Sequence, residues 1–572
     1  MFKNHPKGLP VLFFTEMWER FGFYLMLGIF FLYMTADGAI GGLGLDGKTA
    51  ADIYGTYIAL VYLTPFVGGL LADRIFGYRK TIVVGGILMG LGYLGLGIPR
   101  EGTDITLWLS LFLIILGNGL FKPNISTLVG NIYNNPQYGA KKDSGFNIFY
   151  MGINIGAFVC NFIAAILRNS FGSFSPAFIA AGIGMFVGVV WFLFGQKHTV
   201  EADVLKPAKP EDESVTKILV KVFGPALAFA LFGWFGIQAV TAAISGTPST
   251  LFGSPASDAF LFACIPVVFF YGSLWFRAKG EDRERLGVLL PIFAVVIVFW
   301  AIFHQNGSAL TEWARDYTNR ELPSAMTGVA DTLRLVEQVD VPKALPASVE
   351  GTPNYFHNIP RSEWPSDASK LQLLSTEIFQ SVNPFFVVFL TPLVVAFFAF
   401  LNRRKKEPST PGKIALGLFI TALSTLVMIA ATFVTDNGAT KASALWLVGT
   451  YGVITTGELF LSPMGLSLVS KVSPARLTSV MIGGWFLSTS IGNKLSGMLS
   501  GLMNAFDHKS GIFFINLAGA LLATVLITLM LPRLRRVMEK YTQAPVAERP
   551  AAEACPNESS SDAPDTKAVT GE

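Results

Sequence analysis

The sequence predicts an all-α polytopic membrane protein with about fourteen transmembrane helices. The first observation is composition: 52% of the residues are hydrophobic and only 14% are charged, against about 25% charged in soluble domains. The second is a series of apolar segments long enough to cross a bilayer, for which a helix needs about 20 residues. The third is the placement of Lys and Arg, which concentrate in every second short loop. Together these observations exclude a soluble globular fold.

The apolar segments follow one another along almost the whole chain. Six precede a polar linker at about 196–214, two follow it, and six more complete the series. They lie near 11–34, 51–72, 80–98, 105–132, 146–168, 174–196, 218–244, 258–277, 286–310, 374–402, 413–434, 443–470, 478–503 and 511–532. The first segment is interrupted by charge and has no small-residue cleavage site, so we expect it to remain as the first helix.

Basic residues predict the orientation of the chain in the membrane. Lys3 and Lys7 precede the first segment, and basic clusters such as 403–406 and 533–536 follow even-numbered segments. Short cytoplasmic loops carry the excess of Lys and Arg. We therefore expect a multi-pass protein of the cytoplasmic (inner) membrane with both termini cytoplasmic. A long polar loop at about 312–372 falls on the opposite side, as either a lid over an entrance or a floppy insertion.

The chain is predicted to consist of four parts. These are a six-helix bundle at 1–200, a cytoplasmic linker with two extra helices at 201–282, a second six-helix bundle at 283–540, and a disordered cytoplasmic tail at 541–572. The stretch 69–80 resembles the cytoplasmic loop signature of the major facilitator superfamily, and 400–408 occupies the equivalent place in a degraded form. This repeat predicts two bundles that face each other across a central cavity.

The most informative stretch is Glu16-Met-Trp-Glu19-Arg20-Phe-Gly-Phe23-Tyr24, inside the first apolar segment. Each charge at mid-membrane costs about 2.5–3.5 kcal/mol on insertion scales, so these groups must face protein or a water-filled cavity. Helical periodicity places the named residues on one side of the helix, while Trp18 and Phe21 point elsewhere. The stretch is either a structural buried ion pair, an amphipathic soluble helix, or a polar functional site, which is the default for intramembrane charges.

Several other polar residues fall deep in apolar segments. They are Lys122, Asn154, His304, Asn383 and Glu458. The first half thus offers cations and the second half an anion, which suits a zwitterion that spans the cavity. Without a ligand, Lys122 and Glu458 are expected to pair with each other when the halves close. The open alternatives are a structural role for Lys122 and interhelical hydrogen bonding for the two asparagines.

Two further charged residues, Glu377 and Lys494, lie near predicted helix ends. We expect them to extend toward water rather than to face the cavity.

Several classes of function find no support in the sequence. The three cysteines show no pairing or metal spacing, and no catalytic triad or phosphate-binding loop is present. The net charge of +4 comes from loops between apolar segments and does not indicate nucleic-acid binding. We expect no cofactor other than the proton, and neither an enzyme nor a receptor.

The motifs resemble those of the proton-dependent oligopeptide transporter family of the major facilitator superfamily. The family motif Glu-x-x-Glu-Arg-Phe-x-Tyr-Tyr is matched by Glu16, Glu19, Arg20, Phe21 and Tyr24, with Phe23 in place of the first tyrosine. The stretches 149–157, 380–384, 458–467 and 485–493, and the surroundings of Lys122, resemble further family segments. The similarity covers about 10–540 except for the outer loop, and the extra helix pair is typical of bacterial members.

The resemblance implies symport of di- and tripeptides with protons by alternating access, in a monomer within the lipid bilayer. It assigns the peptide carboxylate to Arg20 and Lys122, and the amino terminus to Asn154, Asn383 and Glu458. It assigns the pocket wall to Tyr24, Tyr62 and Trp485, and proton coupling to Glu16 and Glu19 with Arg20. Because a superfamily fold does not fix the substrate, a carrier for an amino acid, nitrate or a drug is the alternative.

His304 departs from the family pattern. Peptide-transporting members usually have Asp or Glu at this position of the seventh core helix, as a proton site linked to the first-helix arginine. A cationic histidine near Arg20 would repel it. We hypothesise that His304 still titrates with its neutral form favoured; the alternative is a neutral hydrogen-bonding residue without a proton role.

Overall fold

The computed structural model describes residues 2–542 except 136, 206–218, 342–353, 357–358, 366–368 and 475–476. Residues 543–572 of the predicted tail and residues 206–214 of the linker predicted at about 196–214 lie outside these residues. Within them the chain is almost entirely helical, as predicted. Two small pairs of strands complete the secondary structure.

Fourteen helices in the described part of the chain are long enough to cross a bilayer. Twelve of them also meet a simple hydropathy criterion; the other two are α1, which carries three charges, and α13, which is rich in Ser, Thr and Gly. They are α1 Gly8–Thr35, α2 Gly47–Leu71, α3 Tyr78–Leu96, α4 Ile105–Ile132, α5 Lys142–Phe171, α6 Ser175–Gly195, α7 Val220–Ser245, α8 Pro255–Arg277, α9 Gly280–Phe303, α10 Val382–Arg403, α11 Thr410–Val434, α12 Ala444–Val472, α13 Thr478–Ser500 and α14 Ser510–Thr542.

The helices form two bundles that repeat the same packing scheme. In the first, α1 packs on α5 and α6, α4 packs on α2 and α3, and α3 also packs on α6. Adding eight to each number gives the second bundle: α9 packs on α13 and α14, α12 packs on α10 and α11, and α11 also packs on α14. The repeat expected from the loop sequences is therefore present in the structure.

The extra pair, α7 and α8, packs mainly on itself and touches the bundles along α2, α9 and α13. Large apolar side chains cover its outer surface; Phe269 is 76% and Ile244 is 82% exposed. Such a surface is stable in hydrocarbon because all the backbone polar groups are satisfied within the helices.

The helix α9 is interrupted before it reaches the loop face, the surface that carries the outer loop. After Phe303 it tightens into a 3₁₀ turn, His304–Gly307, and then continues as a short helix, Ala309–Asp316. Discontinuous helices of this kind supply ligand sites in transporters because they free polar groups within the membrane. His304 is the first residue of the 3₁₀ turn.

The two surfaces of the protein are different. The loop face carries the described parts of the polar segment 317–375; the terminal face carries both ends of the described chain. On the loop face, β2 (Val336–Asp340) pairs antiparallel with β3 (Lys370–Leu374), and β1 (Thr318–Asn319) pairs with β4 (Ala442–Ser443). The described part of the outer loop is thus ordered and anchored to the second bundle, which favours the lid interpretation over the floppy insertion.

The bundles meet on the loop-face side of the cavity. Here α2 crosses α13 so closely that a Cβ added to Gly55 would lie 2.7 Å from the Gly497 Cα. Glycine at both positions is what permits this approach, as in other small-residue helix crossings in membranes. The cavity is therefore closed at the loop face in this conformer.

Candidate substrate and proton site

The charged cluster of α1, formed by Glu16, Glu19 and Arg20, is buried on the inner side of the first bundle. Arg20 donates from its guanidinium to both carboxylate oxygens of Glu19, with Nη2 2.6 Å from Oε1, and its Nε lies 3.3 Å from Glu16 Oε1. All three residues are at most 2% exposed. The second Glu16 oxygen, Oε2, is buried and has no hydrogen-bond partner. Glu19 is thus firmly bound to Arg20, and Glu16 is held more loosely.

Aromatic residues complete this side of α1. The Arg20 Cζ lies 4.9 Å from the Phe23 ring centroid and 5.9 Å from that of Tyr24. On the other side of the helix, Trp18 and Phe21 pack against Gly184 of α6. The structure confirms the sidedness that helical periodicity predicted.

Lys122 on α4 lies within electrostatic reach of Glu16, Glu19 and Arg20 but is stacked on Tyr62 of α2 rather than paired with them. Its Nζ lies 4.2 Å from the Tyr62 ring centroid, and among the described residues no hydrogen bond or ion pair to this ammonium is found. The expected pairing of Lys122 with Glu458 is not formed in this conformer. A half-buried ammonium on an aromatic face is ready to receive an anion from the cavity.

His304 contacts the same Tyr62 ring, with centroids 5.6 Å apart. Its imidazole also stacks on Trp300 at 5.2 Å and contacts Phe303 at 5.4 Å. The Nε2 atom is buried and has no partner. The resemblance implied a site linked to Arg20; the described contacts place His304 instead beside Tyr62 and near Lys122.

The second bundle contributes an acidic site. Asn383 of α10 donates to Glu458 Oε2 of α12 at 3.2 Å and to Thr455 Oγ1 at 2.8 Å. Glu458 is half-buried, with no cation among its described contacts. Across the cavity, Asn154 of α5 donates to the Tyr150 carbonyl at 2.9 Å, and Tyr150 is 44% exposed.

Trp485, which was expected to line the pocket, is buried in this conformer. It is 5% exposed and its ring covers Gly465 of α12, where an added Cβ would lie 1.8 Å from Cη2. In this conformer the indole belongs to the core of the second bundle.

The expectation that Glu377 and Lys494 face water is wrong. Both are fully buried, and each forms an ion pair between the bundles on the loop-face side. Lys494 of α13 donates to Asp52 Oδ1 of α2 at 2.5 Å and to Thr56 Oγ1 at 2.5 Å. Glu377 accepts from Arg168 Nε of α5 at 2.8 Å. Position near a helix end could not reveal these partners, which come from the other half of the chain.

The outer loop shares the Arg168 ion pair. Arg168 Nη2 also donates to Glu337 Oε2 of β2 at 2.7 Å, and Arg320 donates to the other oxygen of the same carboxylate. Burial would raise the pKa of Glu337, but the guanidinium groups of Arg320 and Arg168 outweigh it and lower this pKa to about 2. Asn169 of α5 adds bonds to the Arg334 carbonyl and to Ser375.

The sequence analysis therefore missed the loop-face ion pairs Arg168–Glu377 and Lys494–Asp52, called the gate pairs below, and one partner in the site. Thr455 stands three residues before Glu458, a spacing that puts both on one helix face and could have revealed it. The gate pairs offered no such local signal. Among the described residues, no group of three His, Cys, Asp or Glu is arranged to hold a metal ion.

Buried opposite charges on two symmetrically packed bundles, together with a broken helix and a cavity closed on one side, define a secondary transporter of the major facilitator type. A profile of the POT family matches residues 79–336 and 369–520. The chain belongs to the POT family, and the resemblance read from its motifs is confirmed.

Relatives and solved structures of the same family align with nearly the full length of this chain. A di-/tripeptide transporter of Lactococcus lactis subsp. lactis (strain IL1403) is 31% identical, over 93% of this chain and 97% of that protein. A crystal structure of a peptide transporter POT in complex with sulfate has a TM-score of 0.71 at 29% identity and covers 94% of this chain and 97% of its own. A POT family transporter crystallised with 5-aminolevulinic acid has a TM-score of 0.73 at 27% identity, covering 93% and 98%.

Proposed function

We propose that this protein takes up di- and tripeptides across the cytoplasmic membrane in symport with protons, by alternating access. The single observation that carries the proposal is the separation of charge across the cavity. Arg20 and Lys122 stand on the first bundle, and Glu458 stands on the second without a cationic partner among its described contacts. The Lactococcus lactis relative, named as a di-/tripeptide transporter, supports this choice of substrate.

The two ends of a peptide are proposed to meet opposite bundles. The ammonium binds Glu458, whose carboxylate is oriented by the amide of Asn383. The carboxylate binds Lys122, which forms no ion pair in the described structure, with Arg20 as a second cation once it is released. A charge-assisted hydrogen bond of this kind contributes about 1.5–3 kcal/mol. Tyr24, Tyr62 and Asn154 line the space between, and Trp485 is proposed to become part of the wall as the bundles move.

The proton is proposed to act on α1. Because Glu19 holds the guanidinium with two hydrogen bonds, Arg20 is not free to bind a carboxylate in this conformer. Glu16 has one oxygen without a partner, so its protonation sacrifices fewer hydrogen bonds to Arg20 than protonation of Glu19 would. We therefore propose that Glu16 takes the first proton. Neutral Glu16 and then neutral Glu19 would release Arg20 to the peptide.

Alternating access would then depend on the ion pairs at the loop face. Opening that face requires Arg168 to leave Glu377 and Lys494 to leave Asp52. With both termini cytoplasmic, as the basic loops predict, the loop face is outside and the present conformer is closed to the exterior. We further propose that the protein acts as a monomer, since each chain contains a complete site.

His304 is proposed to remain neutral and to position the peptide. A cationic imidazole between Trp300, Phe303 and Tyr62 would lack a partner and lie near the Lys122 ammonium. Its Nε2, which is buried and without a partner in this conformer, is proposed to exchange a hydrogen bond with a peptide group once the bundles move. Proton coupling would then rest on Glu16 and Glu19.

The substrate assignment is tested by uptake of labelled dialanine in the presence of unlabelled competitors. We expect dialanine and trialanine to compete, and alanine and nitrate not to. The Glu458→Gln variant should lose concentrative uptake, whereas Glu407→Gln, on the terminal face, should retain it. Competition by nitrate or alanine alone would favour the other carrier class, and normal uptake by Glu458→Gln would refute the ammonium assignment.

A further inference from the structure

The extra helix pair leaves an apolar cavity between itself and the two bundles. The cavity has a volume of about 290 Å³ and is bounded by four helices, α2, α7, α8 and α13. It is separate from the charged site described above. Representative wall residues are Leu63, Phe66, Ala226, Ala263, Cys264 and Phe486.

The wall of this cavity has few polar groups. The hydroxyls of Thr56 and Tyr271 are among them, and both already form hydrogen bonds within the protein. The Thr56 hydroxyl donates to the Asp52 carbonyl at 2.8 Å and accepts from Lys494. The Tyr271 hydroxyl donates to the Val480 carbonyl at 2.8 Å. An apolar protein cavity of about 150 Å³ stays free of water and binds apolar ligands instead. Neither water nor a zwitterionic peptide therefore suits this space.

The shape of the cavity points to a long, thin occupant. Along α2 its wall extends from Thr56 to Phe66, and along α8 from Ala256 to Tyr271. At 1.5 Å per residue these stretches are about 15 and 22 Å long. Half of the hydrocarbon core of a bilayer, which is the reach of one lipid chain, is about 15 Å.

The surroundings supply such a chain. The outer faces of α7 and α8 present large apolar side chains; Leu227 is 63% and Phe269 is 76% exposed. The medium next to the cavity is therefore lipid hydrocarbon. We propose that the cavity is a binding site for one acyl chain of a bilayer phospholipid.

An acyl chain bound in this cavity would affect whether the loop face opens. Two of its walls, α2 and α13, belong to opposite bundles and separate when the loop face opens. Thr56 lines the wall and also accepts a hydrogen bond from Lys494, which forms the ion pair with Asp52. A bound chain therefore stabilises the arrangement in which the loop face is closed.

The test is photochemical labelling of the full-length protein in lipid nanodiscs of phosphatidylcholine with a diazirine on one acyl chain. We expect adducts on Phe66 and Phe486, which the extra helices screen from the bulk lipid. Ala263→Leu narrows the cavity and should reduce these adducts several-fold. Ala228→Leu, an identical change on the exposed outer surface of α7, should leave them unchanged.

Adducts confined to outer residues such as Leu227 and Phe269 would overturn the proposal. So would adducts on Phe66 and Phe486 that persist in Ala263→Leu. If that variant is poorly folded by thermal melting, Ala226→Leu fills the same cavity from α7 and gives the same comparison. Labelling of the wall by a diazirine fatty acid but not by the phospholipid would refute the phospholipid as the source.

Discussion

Lys494 on α13 and Asp52 on α2 form an ion pair of 2.5 Å that joins the two bundles at the loop face. The lysine is fully buried, and the aspartate also accepts from Ser254, the N-cap of α8, and from Ser257 of α8, each at 2.6 Å. One carboxylate therefore ties together the first bundle, the second bundle and the extra helix pair. Opening the loop face must break or rearrange this contact.

Removing the lysine should destabilise the closed conformer. Lys494→Met leaves the Asp52 carboxylate without its cation, and loss of one partner of a buried pair costs about 3–5 kcal/mol. We expect a lower melting temperature in detergent and faster disulfide trapping of an open loop face. Lys509→Met, a less buried lysine on the same face, is the control and should do neither. A Lys494→Met protein with normal melting and trapping would show that the pair does not hold the gate.

The crossing of Gly55 and Gly497 predicts a steric test of closure. Gly55→Val places carbon atoms where the Gly497 backbone now lies, 2.7 Å from the position of an added Cβ. The loop face then cannot close, so we expect peptide to bind from that side but not to be transported. Gly501→Ala, whose new methyl group meets the flexible Lys48 side chain at 3.3 Å, should transport normally. Full transport by Gly55→Val would contradict the closure described here.

The link between the outer loop and the gate should not respond to physiological pH. The pKa of Glu337 is lowered from 4.5 to about 2. A carboxylate with a lowered folded-state pKa stabilises the fold above its unfolded value of 4.5, and this contribution is lost only as pH falls toward 2. Limited proteolysis of the outer loop should therefore proceed equally at pH 5.5 and pH 7.5. Glu337→Gln should increase cleavage at both values; protection that changes across this range in the wild type would count against the assignment.

The role of His304 can be separated from that of the α1 carboxylates. If His304 is a neutral positioning group, His304→Asn retains proton-driven uptake with an unchanged pH profile, since an amide can also exchange hydrogen bonds. The Michaelis constant should rise while dependence on the proton gradient remains. His304→Leu, which removes the polar atoms, should raise it further. Loss of gradient dependence in His304→Asn would establish a titrating role.

Local patterns were enough to predict most of the fold, for a physical reason. Hydrocarbon requires long apolar helices, so their number and limits are visible in composition alone, and Glu16, Glu19 and Arg20 stood out because charge is costly in the membrane. Ion pairs between distant segments leave no such mark. Glu377 and Lys494 were expected in water because their partners, Arg168 and Asp52, lie more than 200 residues away in the chain. The contact of His304 with Tyr62 joins residues more than 200 positions apart in the chain, so no local pattern could reveal it.

Proton-coupled peptide uptake is the central claim, and proteoliposomes test it most directly. Purified protein is reconstituted with a more alkaline interior, and accumulation of labelled dialanine is followed with and without a protonophore. The account predicts accumulation above the external concentration, its loss when the protonophore collapses the gradient, and exchange without accumulation in Glu16→Gln. Accumulation that is the same with and without the protonophore would contradict the account.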